Sequence, residues 1–264
     1  MLVKETGRVE SALRSLGLTK RTRNAEVLGL IQKLRPVDCG RELIRVGARG
    51  DGGYLIPDDL EGIEYCFSPG VSTVSEFENQ LADRQIGSFL ADYSVDSPPL
   101  ARQEFTFDRK FLGPADEGNY MTLESWKNRY LPGYAQDLIL QMDIEGMEYE
   151  VILSSPEVLL NQFRIMVIEF HFLDRMFDRD GFPAISATFE KILRHFHVAH
   201  IHPNNIGGSV RRDEIEIPKL LEFTFLNKRR VKTTAPRTAF PHTLDADCGR
   251  RKSLVLPQCW YAWT

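Results

Sequence analysis

Apolar residues recur at helical spacing over residues 8–19, through Leu13 and Leu16, and again over 24–34, through Val27, Leu28, Ile31 and Leu34. Both stretches read as helices, and Pro36 stops the second. The pattern then shortens. LIRVGARGDGGYLI (43–56) reads as two short extended pieces around a glycine-rich turn, and IEYCFS (63–68) as an apolar strand. Ser75 and Glu78 stand at the spacing of a capping box, which places a helix start near Ser75. SFLADY (88–93) is a second strand, and the irregular stretch 97–121 holds a third near 103–108. Residues 122–130 look helical, and DLILQMD (137–143) is a buried strand ending on an acid. Ser155, Pro156 and Glu157 have the cap-then-proline order of a helix start. RIMVIEF (164–170) is another apolar strand with an acid at its end, followed by an amphipathic helix at 183–197. VAHIHP (198–203) and LLEFTFL (220–226) finish the pattern as strands with no helix-length segment between them.

Strands alternating with helices predict an α/β fold with a parallel sheet. The last two strands, joined without a helix, predict an antiparallel hairpin at its C-terminal edge. Residues 231–264 show no period and read as an irregular basic tail. The expected division is a helical extension at 1–40, a core domain at 41–230 and the tail. A chain of 264 residues with 42% hydrophobic and 27% charged residues fits one globular body, which excludes disordered, collagen-like and coiled-coil classes.

Charge is uneven. Net charge is −4, but residues 1–35 carry +5 and 228–264 carry +6, which leaves −15 on the body between. An acidic body argues against a nucleic-acid partner. The basic ends are either solvated surface or a peripheral contact with an anionic membrane. No apolar run approaches the ~20 residues of a membrane span. The first residues lack a secretory apolar stretch, and the four cysteines have no CxxC spacing, so a reducing cytoplasm is the expectation.

In an open α/β sheet the chemistry belongs beyond the carboxyl ends of the strands. Three groups fall there. After the first core strand come Ser68, Pro69, Gly70, Val71 and Ser72, a turn in which glycine lets backbone approach a ligand. Asp92 ends the next strand, where an acid can accept hydrogen bonds from a ribose diol. The second group, Asp143-Ile144-Glu145-Gly146-Met147-Glu148, ends a buried strand. Glu145 and Glu148 suit a helix N-terminus, whereas Asp143, still in the strand, needs a cation, a metal or a ligand's amino group as partner. The third is Glu169 and His171, joined by His200, His202, Asn204 and Asn205 at a later strand end. Acids and imidazoles at neighbouring strand ends suit proton transfer or a divalent metal.

DLILQMDIEGMEYEVI followed by VIEFH resembles the FkbM-type family of S-adenosylmethionine-dependent methyltransferases, whose hallmark is D-[IV]-E-G-x-E after a buried strand. The likeness extends to Gly50-Asp51-Gly52-Gly53-Tyr54, to the loop at 67–78 and to His202-Pro203-Asn204-Asn205, and covers roughly 41–227. Pro69 and the tail depart from the pattern. The resemblance implies a class I methyltransferase (Rossmann-like) sheet of about seven strands, the last antiparallel, with helices on both faces. It implies S-adenosyl-L-methionine as cofactor, held by Asp51, Gly53, Ser68, Gly70, Asp92 and Asp143. It implies O-methylation of a sugar or other glycan-like hydroxyl. Glu169 and His171, with Asp143 beside them and His202 behind, are the candidate catalytic groups.

If His171 is a free base near its reference pKa of about 6.5, activity should rise through that pH. If instead Asp143, Glu169 and His171 hold a divalent metal, chelation should abolish turnover. The metal-free base is the first expectation. Two other readings stay open on the residues: a metal-dependent hydrolase built on the same acids and imidazoles, and a non-catalytic cofactor-binding module.

Overall fold

The computed structural model describes residues 21–263. The expected helix at 8–19 lies outside the described residues. Helix α1 (Asn24–Lys33) stops one residue before the expected end. A hairpin follows, β1 (Leu43–Gly47) against β2 (Gly53–Pro57), paired from Leu43↔Pro57 to Gly47↔Gly53. Next come β3 (Tyr65–Pro69), α2 (Glu76–Ala82), β4 (Gly87–Ala91), β5 (Phe105–Asp108) and α3 (Leu123–Tyr130). The second half supplies β6 (Leu138–Met142), α4 (Glu148–Ser154), β7 (Phe163–Phe170), α5 (Phe182–Leu193), β8 (Phe196–Pro203) and β9 (Leu221–Asn227).

Seven of these strands form one sheet in the order β8-β9-β7-β6-β3-β4-β5. β3 pairs parallel with β4 and β6, β4 with β5, and β6 with β7. β9 runs antiparallel to both β7 and β8. This is the seven-stranded sheet that the resemblance implies, with its last strand inserted antiparallel between the two before it. Strand pleat sorts the side chains onto two faces. Leu140, Met142, Met166 and Ile168 pack toward α1, α3, α4 and α5. Ile139, Ile165 and Val167 pack toward α2 and the β1–β2 hairpin. The runs LILQM and FRIMVIEF are buried at every position, as strands covered on both sides must be.

Three local expectations change. Ser75 does not close a capping box: its hydroxyl is buried without a partner, and Glu78 turns inward instead. The β8–β9 connection is no plain loop, since Ser209–Arg212 pairs with Ile215–Pro218 across a turn in which Asp213 has φ 54°. Residues 231–263 are largely irregular yet packed: Ala235–Pro236 pairs with Val37–Asp38, and Trp260 is fully buried with its indole N–H donated to the Glu216 carbonyl. Among the described residues no helix is long and apolar enough to cross a membrane.

Candidate active site

At the centre of the sheet, β3 lies between β4 and β6, and its end is pinned to both. The Gly70 N–H donates to the Ala91 carbonyl at 2.9 Å, and the Asp143 N–H donates to the Pro69 carbonyl at 3.3 Å. Gly70 has φ 88°, and a Cβ there would sit 1.6 Å from the Asp143 carbonyl oxygen. Only glycine permits this approach. The turn is then tied to the next strand end. Asp92 accepts the Ser72 N–H at 2.8 Å through Oδ2, and the N–H and hydroxyl of Ser94, both at 2.7 Å, through Oδ1. A carboxylate offers about four lone-pair sites, so Asp92 keeps capacity for one more donor.

The hairpin tip closes on the same turn. Asp51 and Gly52 line a cavity with Gly70, Val74, Gln141 and Asp143. A Cβ on Gly52 would meet Val74 Cγ1 at 2.3 Å. Gly53 does not line this cavity; it pairs with Gly47, and a Cβ there would strike the Ala48 carbonyl at 1.9 Å. Ser68 lies beneath it, fully buried, its hydroxyl between Glu78 and Gln141 Oε1, the latter at 2.6 Å. Gln141 Nε2 donates in turn to the Tyr54 hydroxyl at 3.3 Å. The cavity measures about 80 Å³. Small-molecule sites run to roughly 300–1,000 Å³, so the enclosed part of this cavity matches only a fraction of a nucleoside-sized ligand. A larger cavity of about 480 Å³ sits at the amino ends of β3, β4 and β5, beside Tyr65, Gly87 and Glu104, the end of a parallel sheet that does not carry its chemistry.

Beyond β6 and β7 lies the charged cluster. Glu148, fully buried, accepts the N–H groups of Ile144 and Gly146 and contacts His171 Nδ1, each at 3.1 Å through Oε1. That one carboxylate shapes the 144–146 turn, where Glu145 has φ 59° and Gly146 φ 110°, and also orients the imidazole. The Tyr149 hydroxyl donates to the His171 carbonyl at 2.7 Å and fixes the backbone. His171 Nε2 therefore faces Asp143 Oδ1 at 3.8 Å, Glu145 Oε2 at 3.9 Å and Glu169 Oε1 at 4.0 Å. Glu169 is held by Asn204, whose Nδ2 donates to it at 3.1 Å.

Burial opposes charge on His171, but the Glu148 hydrogen bond and the Glu148, Asp143 and Glu169 carboxylates outweigh it and raise its pKa to about 9. These neighbours favour the charged imidazolium over a free base titrating near 6.5. Burial pushes Asp143 up to about 7, against the pull of His171, and pushes Glu169 well above the usual carboxylate range.

His202 stands apart from this cluster. It pairs across the sheet with Glu222, which in turn pairs with Glu169, so the three share a row on one face. Its Nδ1 lies 3.6 Å from Asp245, whose Oδ1 meets His200 Nε2 at 2.7 Å. Nothing in the pattern of 231–264 singles out Asp245. Glu78 and Gln141 read as a helix acid and a strand residue, and only the packing of three segments brings them to Ser68.

Residues 135–199 match the family profile described as "Methyltransferase FkbM domain". No curated protein sequence matches the chain. Among solved structures, the fibrillarin/Nop5p complex is similar at 11% identity, over 64% of this chain and 74% of that chain, with a TM-score of 0.38. The methyltransferase CalO6 is similar at 9% identity, over 63% of this chain and 58% of that one, with a TM-score of 0.29. The matched segment contains β6, the Asp143–Glu148 turn, β7 and His171, and over these residues the chain is similar to the FkbM methyltransferase domain.

Proposed function

We propose that the protein is an S-adenosylmethionine-dependent O-methyltransferase acting on a hydroxyl of a sugar or glycan-like small molecule. The observation that supports this most is the adjacency of two features at one sheet end: the glycine turn tied to Asp92, and the Asp143–Glu169–His171 cluster. The first suits a nucleoside and the second a hydroxyl acceptor. The donor set fits the cofactor, because Asp51 and Asp143 line the cavity and Asp143 Oδ1 is buried with no hydrogen-bond partner. An unpaired carboxylate in such a site favours a cationic ligand.

When bound, the cofactor supplies an electrophilic methyl group on a sulfonium. The chain's own residues do the rest. Asp92 is the candidate acceptor for one ribose hydroxyl, Gly70 leaves room at the strand end, and Asp51 with Asp143 favours positive charge. Transfer to a hydroxyl needs the acceptor aligned and its proton removed. Asp143, Glu169 and His171 are the candidate groups to take that proton.

Two measurements test the proposal. Incubating the chain with labelled S-adenosylmethionine and defined sugars, followed by mass analysis, should show a gain of one methyl group. Asp92→Ala should weaken cofactor binding by ~1.5–3 kcal/mol in a calorimetric titration, the scale of losing hydrogen bonds to a charged group. Thermal stabilisation by Mn²⁺ with none by S-adenosylmethionine would contradict the proposal and favour a hydrolase.

A further inference from the structure

Asp143, Glu169 and His171 come from two neighbouring strand ends, and one ligand atom from each lies within 4.8 Å of the others. We infer that these three residues form a divalent-cation site of the Mn²⁺/Zn²⁺ class, with Glu148 positioning the imidazole and Asn204 positioning Glu169. The inference deepens the methyl-transfer reading, on which its catalytic use rests, but the site itself does not depend on that reading.

A ring nitrogen hydrogen-bonded directly to a carboxylate would stand about 2.7–2.9 Å from it. Here Nε2 stands back from Asp143 and Glu169, at 3.8 and 4.0 Å, and makes no hydrogen bond with either. Ligands at about 2.0–2.2 Å on either side of one ion are separated by up to ~4.4 Å, so both spacings fit a shared cation. His171 is 6% exposed, and its other nitrogen is engaged by buried Glu148. This carboxylate–histidine arrangement is the one that fixes the tautomer of a metal-binding imidazole. Asp143 Oδ1, buried and without a partner, is aimed at the same point.

Chemistry narrows the ion. Two carboxylates and one imidazole suit Mn²⁺ or Zn²⁺ better than an all-oxygen Mg²⁺ site or a thiolate site. Three protein ligands leave positions open for water or an acceptor hydroxyl. A hydroxyl bound there would lose its proton more readily.

The test uses the full chain, stripped with a chelator and titrated calorimetrically with MnCl₂ and separately with ZnCl₂, without cofactor or acceptor. Saturable binding of one equivalent is expected. Affinity should fall at least ~10-fold in Asp143→Asn and Glu169→Gln, and ~10–100-fold in Glu148→Gln, which touches the imidazole rather than the ion. Pulsed electron paramagnetic resonance of Mn²⁺ on the unmodified chain should show nitrogen coupling from one imidazole, a readout that needs no variant to fold. The site is overturned by absence of saturable binding, by affinity unchanged in both carboxylate variants, or by bound Mn²⁺ without nitrogen coupling. If the ion binds as expected and no methyl transfer is found, the functional reading fails alone. If methyl transfer persists in chelator and no ion binds, the cation site fails alone.

Discussion

Ser68 has one hydroxyl proton and two oxygen neighbours, Glu78 and Gln141 Oε1. It can donate to only one of them. A protonated Glu78 could supply the missing proton, donating to Ser68 while Ser68 donates to Gln141. The electrostatics agree: burial raises Glu78 to about 7, although the Ser68 hydrogen bond pulls the other way. An acid whose folded pKa lies above its unfolded value of about 4.3 contributes stability that is full below pH 4.3 and lost as pH rises through 7. Glu78→Gln keeps a donor toward Ser68 and removes the titration. It should match the natural chain near pH 4 and exceed it by about 1–3 kcal/mol at pH 8, read from urea unfolding at both values. A variant less stable at pH 8 would show that Glu78 is held ionised.

At the scale of elements, the turn after β3 is set by how closely β3 and β6 end together. Gly70→Ala would force a Cβ onto the Asp143 carbonyl and demand φ 88° of a residue that disfavours it. A loss of about 2–4 kcal/mol is expected, together with loss of cofactor binding. Gly118→Ala, at φ 56° with nothing within 4 Å of its Cβ, should cost only about 1 kcal/mol. Equal melting shifts for the two variants would remove the close approach as the cause. The same strand ends explain what the sequence made legible. Runs such as LILQM and RIMVIEF are long enough to show where a strand stops, so Asp92, Asp143, Glu169 and His171 could be placed at one sheet end from spacing alone. The Ser209–Arg212 ribbon has strands too short for their period to stand out. Helix α4 is only seven residues, too short for its period to stand out, although Glu145 and Glu148 read as the acids of a helix N-terminus. Glu78 and Asp245 escaped for a different reason: each acquires its role from segments far away in the chain, and local pattern carries no trace of that.

Across the whole molecule, the C-terminal stretch is the largest departure from its sequence pattern, because it forms a wall beside the site. The Arg45 guanidinium donates to the Leu244 carbonyl at 3.3 Å, and the Cys248 thiol lies 3.1 Å from Glu222. Asn205 donates to the Gly249 and Arg251 carbonyls at 3.0 and 2.8 Å and accepts the Gly249 N–H at 3.0 Å. The anchor is Asp245, which accepts the His242 N–H at 2.7 Å and pairs with His200, itself stacked on Phe240. Burial opposes charge on Asp245, but the His200 and His202 contacts outweigh it and hold it below the usual carboxylate range. Burial likewise opposes charge on His202, yet Asp245 and Glu222 raise it above 6.5, while burial lowers His200 below 6.5. The signs define a window. The Asp245 contribution is present above its unfolded value of about 3.9 and lost as pH falls below it; the His202 contribution is full below about 6.5 and lost as pH rises past its raised value. His200 acts in the opposite sense, because its lowered pKa contributes stability above about 6.5 that is lost as pH falls below it. Hydrogen exchange of the Asp245 and Gly249 amides, corrected for the intrinsic rate, should therefore be slowest near pH 6.5 and faster on either side, at about pH 5 and at about pH 8. In Asp245→Asn the exchange should be faster throughout and flat across that range, with about 1–3 kcal/mol lost from global stability. If the natural chain shows the same flat profile, the wall is held by its backbone contacts to Asn205 and Arg45, and the buried Asp245–histidine group is incidental to it.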